Sequence, residues 1–156
     1  MASPALPNIS SDLIWEVVRN NNSYLSKSNQ NGGVQFSHDP LNLINKNVRK
    51  HAGFVNDKAI GIVSTDKGFT VITKKPAVGN KPKEAFIKSE HSGRKSSRKG
   101  YRAVANQTAR NNYRADLRQA AVQRVSAIRR TQLPVKPEAE PKLRGKRAQK
   151  AAAASE

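Results

Sequence analysis

The positive charge of this chain is concentrated at one end, and that asymmetry limits what the chain can fold into. Up to Thr73 the sequence holds 7 Lys and Arg against 5 Asp and Glu. Beyond it 22 basic residues face 6 acidic ones, so +16 of the net +18 lies in about half of the 156 residues. Charge at that density repels itself unless an anion neutralises it, which points to a polyanionic partner, nucleic acid above all. Apolar residues are 36% of the chain and aromatic ones 5%. That is enough for a compact core over part of the length only. The expected fold class is α+β: a small N-terminal helix plus antiparallel strands, followed by a basic helical extension and a disordered C-terminal tail. The boundaries predicted are a leader at 1–10, a small α+β domain at 11–75, a basic loop at 76–100, a basic helical region at 101–133 and a low-complexity tail at 134–156.

In the near-neutral half, Ser10, Ser11 and Asp12 supply helix-capping oxygens. Leu13, Ile14, Val17 and Val18 follow at helical spacing beside Trp15. Residues 24–27 and 34–37 read as strands joined through Asn31-Gly32-Gly33, which tolerate positive φ. A clearer hairpin lies in 58–64 and 69–73, with turn chemistry at Thr65-Asp66-Lys67-Gly68. Gly61 inside the first of these strands predicts a bulge or a close backbone approach. A turn starting at Pro40 and a further strand near Phe54 complete the expected unit. Its core is expected to be Leu13, Trp15, Val17, Leu25, Phe36, Ile60, Ile62, Phe69 and Val71.

Past Thr73 the prolines at 76 and 82 predict a surface loop, and 84–88 a short strand or turn of helix. The run 91–100 is cationic, spaced by Gly and Ser, and has no apolar face. It is expected to be disordered or ordered by its ligand, with His91 a solvated loop residue. Residues 101–109 allow a helix that Asn111-Asn112 breaks. A stronger helix is expected from about Arg114 to Thr131, with Leu117, Ala120, Ala121, Val125 and Ile128 on a face that packs on protein. On that reading Arg110, Arg114 and Arg118 form a ridge facing phosphates. The tail, with its prolines and Lys/Ala repeats, is expected to be disordered in isolation.

Catalytic chemistry finds little to work with. With 0 Cys there are no disulfides, thiolate metal sites or cysteine nucleophiles. His38, His51 and His91 lie far apart, without metal-ligand spacing. Asp12 and Glu16 share a helix face but suit the helix dipole better than acid–base work. No phosphate loop or nucleophile elbow occurs. No cofactor, metal or small-molecule substrate is expected, and no enzyme. Nor is a membrane: no apolar run approaches the roughly 18–20 residues of a span, and the first residues lack a secretory pattern. The sequence reads as soluble and intracellular.

RNA binding has what it needs. Guanidinium groups grip phosphate bidentately and stack on bases, and aromatics among arginines suit unstacked RNA bases. The candidate RNA-binding residues are Arg94, Lys95, Arg98, Lys99, Tyr101, Arg102, Arg110, Tyr113, Arg114, Arg118, Arg124, Arg129 and Arg130. Tyr113 admits two readings, a base-stacking residue or an anchor for the helix start, and Trp15 is read as core.

These residues also carry a resemblance. Leu13-Ile14-Trp15 with Val18-Arg19-Asn20 and Ser23-Tyr24-Leu25, then Phe36-Ser37, Pro40 and Asn42-Leu43, resemble the opening of the eukaryote-specific large-subunit ribosomal protein family numbered twenty-eight. Tyr113-Arg114, Asp116-Leu117-Arg118, Ala120-Ala121, Arg124 and Ser126-Ala127-Ile128 are similar to its second motif. The similarity spans about residues 11–135. It implies a structural component of the 60S subunit, bound to large-subunit ribosomal RNA and neighbouring ribosomal proteins, in the cytoplasm on the cytosolic ribosome after assembly in the nucleolus. The alternative is a chromatin or other DNA/RNA-binding accessory protein, to whose tails the Lys/Ala/Pro segment is similar. Against it, the sequence has neither a helix-turn-helix pair with a short Gly turn nor a zinc module.

Overall fold

A computed structural model describes residues 8–76, 81, 83–138 and 144–154. The first helix, α1 (Ser11–Val18), starts where the caps predict, with the Leu13 amide donating to Ser10 Oγ at 3.2 Å. It turns Trp15, flanked by Ile14 and Val18, onto Ala52, Phe54 and Val55. At 100° per residue Leu13 and Val17 then fall on the far side. They are 56% and 74% exposed, so neither belongs to the core expected of them. A helix of 8 residues buries one face, and the largest side chain selects it.

The first hairpin is short. β1 (Leu25–Ser26) pairs antiparallel with β2 (Phe36–Ser37), leaving Leu25 and Phe36 half-buried. Between Ser37 and Ile60 the backbone is satisfied by side chains rather than by a ladder. The Asp39 carboxylate accepts from the Leu41 amide at 2.9 Å and the Phe54 amide at 3.1 Å. The turn at Pro40 forms, with the Asn42 amide donating to Asp39 O at 3.0 Å. No strand forms near Phe54, because its amide is taken by Asp39 and residues 52–55 close a turn. Arg49 links this segment to α1, donating to Asp12 Oδ1 at 2.9 Å, Ser11 Oγ at 2.8 Å and Asn56 Oδ1.

The second hairpin stands as read and grows into a meander. β3 (Ile60–Thr65) pairs with β4 (Gly68–Lys74), and β4 with β5 (Phe86–Ser92), all antiparallel. Ile62 sits opposite Val71 and Ser64 opposite Phe69, so Ile60, Ile62, Phe69 and Val71 share one face. Gly61 marks a close backbone approach: a Cβ there would run into Pro40 O and lie 3.1 Å from Leu41.

Two helices cover that face, α2 (Ser97–Ala109) and α3 (Arg118–Thr131). The main cluster unites Leu43, Ile60, Ile62, Phe69 and Val71 with Val104, Leu117, Ala121, Val125 and Ile128. Half of its ten buried residues therefore come from the cationic part of the chain. The position between 75 and 76 falls between two strands of one sheet, and the core predicted for 11–75 alone is shared with the helices.

The structure corrects the basic run as well. Residues 86–92 are strand and 97–109 are helix, so within the run 91–100 only a short turn at 93–96 is neither. A strand at a sheet edge needs backbone pairing, not an apolar face of its own, and β4 supplies it. Of the loop predicted at 76–82, residues 77–80 and 82 lie outside those described. Asn112, at φ 50°, breaks the helices where expected, but α3 begins at Arg118 after two 3-10 turns, at Arg110–Asn112 and Ala115–Leu117. In the tail α4 (Lys146–Ala153) forms, as its alanines favour. Its described side chains are exposed.

Candidate nucleic-acid interface

The cationic candidates divide by what the fold does with them. Arg94 and Lys95 lie exposed in the turn between β5 and α2; Arg98, Lys99 and Arg102 are exposed on α2. Arg110 at the end of α2, Arg118 at the start of α3 and Arg130 near its end are exposed too. The ridge expected of Arg110, Arg114 and Arg118 does not exist, because the three stand on different elements. Arg114 has a non-helical backbone, at φ −152° and ψ 67°, and its side chain turns inward.

That side chain is 16% exposed and makes four hydrogen bonds. It donates to Lys58 O at 2.7 Å, Lys50 O at 2.9 Å and both oxygens of Asp116. The guanidinium's hydrogen bonds hold the Asp116 carboxyl below its usual range. Arg129 is engaged as well, its Nη2 donating to Gly93 O at 2.9 Å. Arg124 is half-buried on α3.

Both tyrosines make contacts within the protein. The Tyr113 hydroxyl donates to Ala59 O at 3.2 Å and to Lys74 O, which ties the link between α2 and α3 to the sheet. Burial raises its pKa against the opposing effect of those carbonyls. Lys58 Nζ stands 5.9 Å from its ring centroid. Tyr101 is half-buried against the main cluster, and with Arg102, Asn106, Arg118, Gln119 and Gln123 it lines a groove of about 620 Å³ between α2 and α3.

A second hollow, of about 520 Å³, opens where β5 turns into α2. Arg94, Lys95, Lys99 and Arg129 reach its wall, and the Phe69 ring with His91 stacked on it at 4.9 Å and 18° forms one side. His91 is thus a strand residue rather than a solvated loop residue. Burial, then the Lys95 charge, lowers its pKa.

Several residues that organise this surface carry no sequence signal of their own. Gln132 Nε2 donates to Thr65 O at 2.8 Å and Gly68 O at 2.6 Å, fixing the end of α3 to the β3–β4 turn. Lys74 Nζ donates to Asn56 O at 2.9 Å, and burial lowers its pKa. Each pairs with a backbone carbonyl remote in sequence, which spacing cannot reveal. Among the described residues no helix is long and apolar enough to cross a membrane.

The chain is similar in sequence to known proteins. The Ribosomal L28e protein family matches over residues 13–131, from α1 to the end of α3. The chain is 40% identical over 131 residues to the large ribosomal subunit protein eL28 of Schizosaccharomyces pombe, covering 83% of this chain and 97% of that one. Similarity to the protein of the same name from Dictyostelium discoideum is 30% over 123 residues, 77% of this chain and 86% of the relative. For that of Trypanosoma cruzi it is 39% over 80 residues, 51% and 53%.

Proposed function

The chain belongs to the Ribosomal L28e protein family, a large-subunit ribosomal protein family, and from that premise we propose that it binds ribosomal RNA through the outward face of its α2–α3 body. Its role in the large subunit is structural. The observation that carries the RNA reading is the sorting of the arginines and lysines. Arg94, Lys95, Arg98, Lys99, Arg102, Arg110, Arg118 and Arg130 stay exposed, while apolar partners on the same helices hold the body together.

The mechanism is charge neutralisation on a rigid support. Each cation that meets a phosphate releases a condensed counterion, so affinity falls steeply with salt. The sheet holds α2 and α3 in fixed register, which makes the spacing of the cations selective for RNA shape. Phosphates from separate RNA helices packed together would otherwise repel. Neighbouring ribosomal proteins are the second class of partner. Residence is on the cytosolic ribosome, after assembly in the nucleolus.

Sedimentation of the tagged chain on sucrose gradients tests this directly. Co-migration with large subunits and polysomes through a salt wash is expected. Recovery with chromatin, or only at the top of the gradient, would overturn it. Binding of purified large-subunit RNA should weaken linearly in log salt, with a slope set by the number of phosphates contacted.

A further inference from the structure

We propose that the hollow at the start of α2 holds one unstacked nucleotide of ribosomal RNA, its phosphate facing Arg94, Lys95, Lys99 and Arg129. This rests on the reading of the cationic face as an RNA surface and names the ligand at one place on it. The four cations converge from three parts of the fold: the β5–α2 turn, α2 itself and α3. No carboxylate lines the hollow among the described residues. Four like charges around one concavity, without a counter-charge, favour an anion inside it.

The site is built rather than incidental. Arg129 is held by the carbonyls of Gly93, at 2.9 Å, and Lys95, at 3.5 Å, and keeps further donors to spare. A Cβ on Gly93 would run into Lys67 O and lie 2.7 Å from Arg129 Nη1, so the close approach of the Lys67 backbone, beside which the guanidinium sits, needs glycine. Ser96, the residue before α2, makes no side-chain hydrogen bond to the helix. The first-turn amides of α2 therefore add donors to those of the cations.

Size and wall chemistry extend the ligand beyond phosphate. A volume of about 520 Å³ is far more than one phosphate fills and lies in the range of small-ligand pockets. The half-buried His91 ring, backed by the buried Phe69 stacked on it, offers with Gly100 and Ala103 a flat, weakly polar side against which a base can lie. At Gly100 a Cβ would come within 3.4 Å of the Phe69 ring, so the absent side chain leaves this space open. A nucleotide paired in a duplex cannot enter such a concavity, whereas one turned out of a loop or bulge can.

A free mononucleotide shares this chemistry, and the experiment separates the two sources. The full chain is titrated at fixed ionic strength with inorganic phosphate, uridine or adenosine monophosphate, and a short single-stranded oligoribonucleotide. Amide shifts of Ser97, Lys99 and Gly100 and the ring signals of His91 are followed. All three probes should move the same signals, the oligoribonucleotide binding tightest and phosphate weakest. Ser96→Asp places a carboxylate where it caps α2 and fills the anion position. Its melting temperature should be equal or higher, while affinity at these signals drops about tenfold or more. Large-subunit RNA should still bind it through the rest of the face.

Absence of shifts, or Ser96→Asp binding like the parent, overturns the proposal. Equal affinity for phosphate and mononucleotide reduces the hollow to an anion site and overturns the nucleotide. Mononucleotide binding without oligoribonucleotide binding overturns RNA as the source. If the parent chain fails to bind large-subunit RNA at all, the functional reading itself falls; if only the hollow is silent, that reading stands and this proposal does not.

Discussion

The segment from α1 to Asn56 and the sheet–helix body that follows solve the same problem by different means. In the first, regular structure is scarce, so Asp39, Asn42, Arg49 and Asn56 spend their side chains on backbone groups and on one another. In the body the β ladder and two helices satisfy most of the backbone internally, with side chains serving mainly its turns and ends. Side chains there are free to divide into an apolar inner set and a cationic outer set. The difference teaches where a large charge can be carried. It sits on elements whose backbone needs no help, because only there can most arginines and lysines face away from the protein.

The strongest break of this comparison is to remove the helices. A fragment of residues 1–75 should show no cooperative thermal melt, because Ile60, Ile62, Phe69 and Val71 lose Val104, Leu117, Ala121, Val125 and Ile128 as cover. A sharp melt of that fragment would mean the first segment and hairpin stand alone. Next in size, Trp15→Ala should cost about 3–5 kcal/mol in denaturant unfolding, since the small cluster with Ala52 and Val55 has little else to hold it. RNA binding by the folded fraction should not change.

Smaller, and sharper, is the contrast between inward and outward arginines. Arg114→Ala should destabilise by about 1–3 kcal/mol, leaving two carbonyls without their donor, and leave the salt slope of RNA binding unaltered. The pair Arg98→Ala and Arg102→Ala should do the reverse. Stability should shift by less than about 0.5 kcal/mol per site, while the salt slope falls by about one unit for each lost phosphate contact. A change in slope for Arg114→Ala would place that residue at the RNA after all.

The smallest effect is one of pH. Burial lowers the pKa of His51 and His91 from 6.5, helped by Lys50 and Lys95 respectively. A histidine whose folded pKa lies below its unfolded value binds its proton first in the unfolded chain. Stability from this source is complete above about pH 6.5 and declines as the pH falls through the lowered values. Thermal melts between about pH 5 and 8 should show this decline, reduced in His91→Gln. A melting temperature flat over that range would remove the effect.

Much of this could be read along the chain. The capped start of α1, both hairpins, the close approach at Gly61, the break at Asn112 and the apolar stripe of α3 follow from local chemistry: caps, turn residues, periodicity. So does the family, through motifs near Trp15 and around Tyr113-Arg114. The charge partition likewise carries the expectation of a polyanionic partner. What tertiary structure alone decided is the fate of individual residues. Leu13 and Val17 carry the same pattern as Trp15 and lie outside, because a short helix can bury one side only. Residues 91–92 look structureless yet end a strand, because β4 offers an edge. Arg98 and Arg114 are chemically identical, and one faces outward while the other binds carbonyls 56 and 64 residues away. Sequence fixes how many charges a chain carries and roughly where. Which of them remain free at the surface depends on whose carbonyls the fold brings within about 3 Å, and that distance is set by packing between segments remote in sequence.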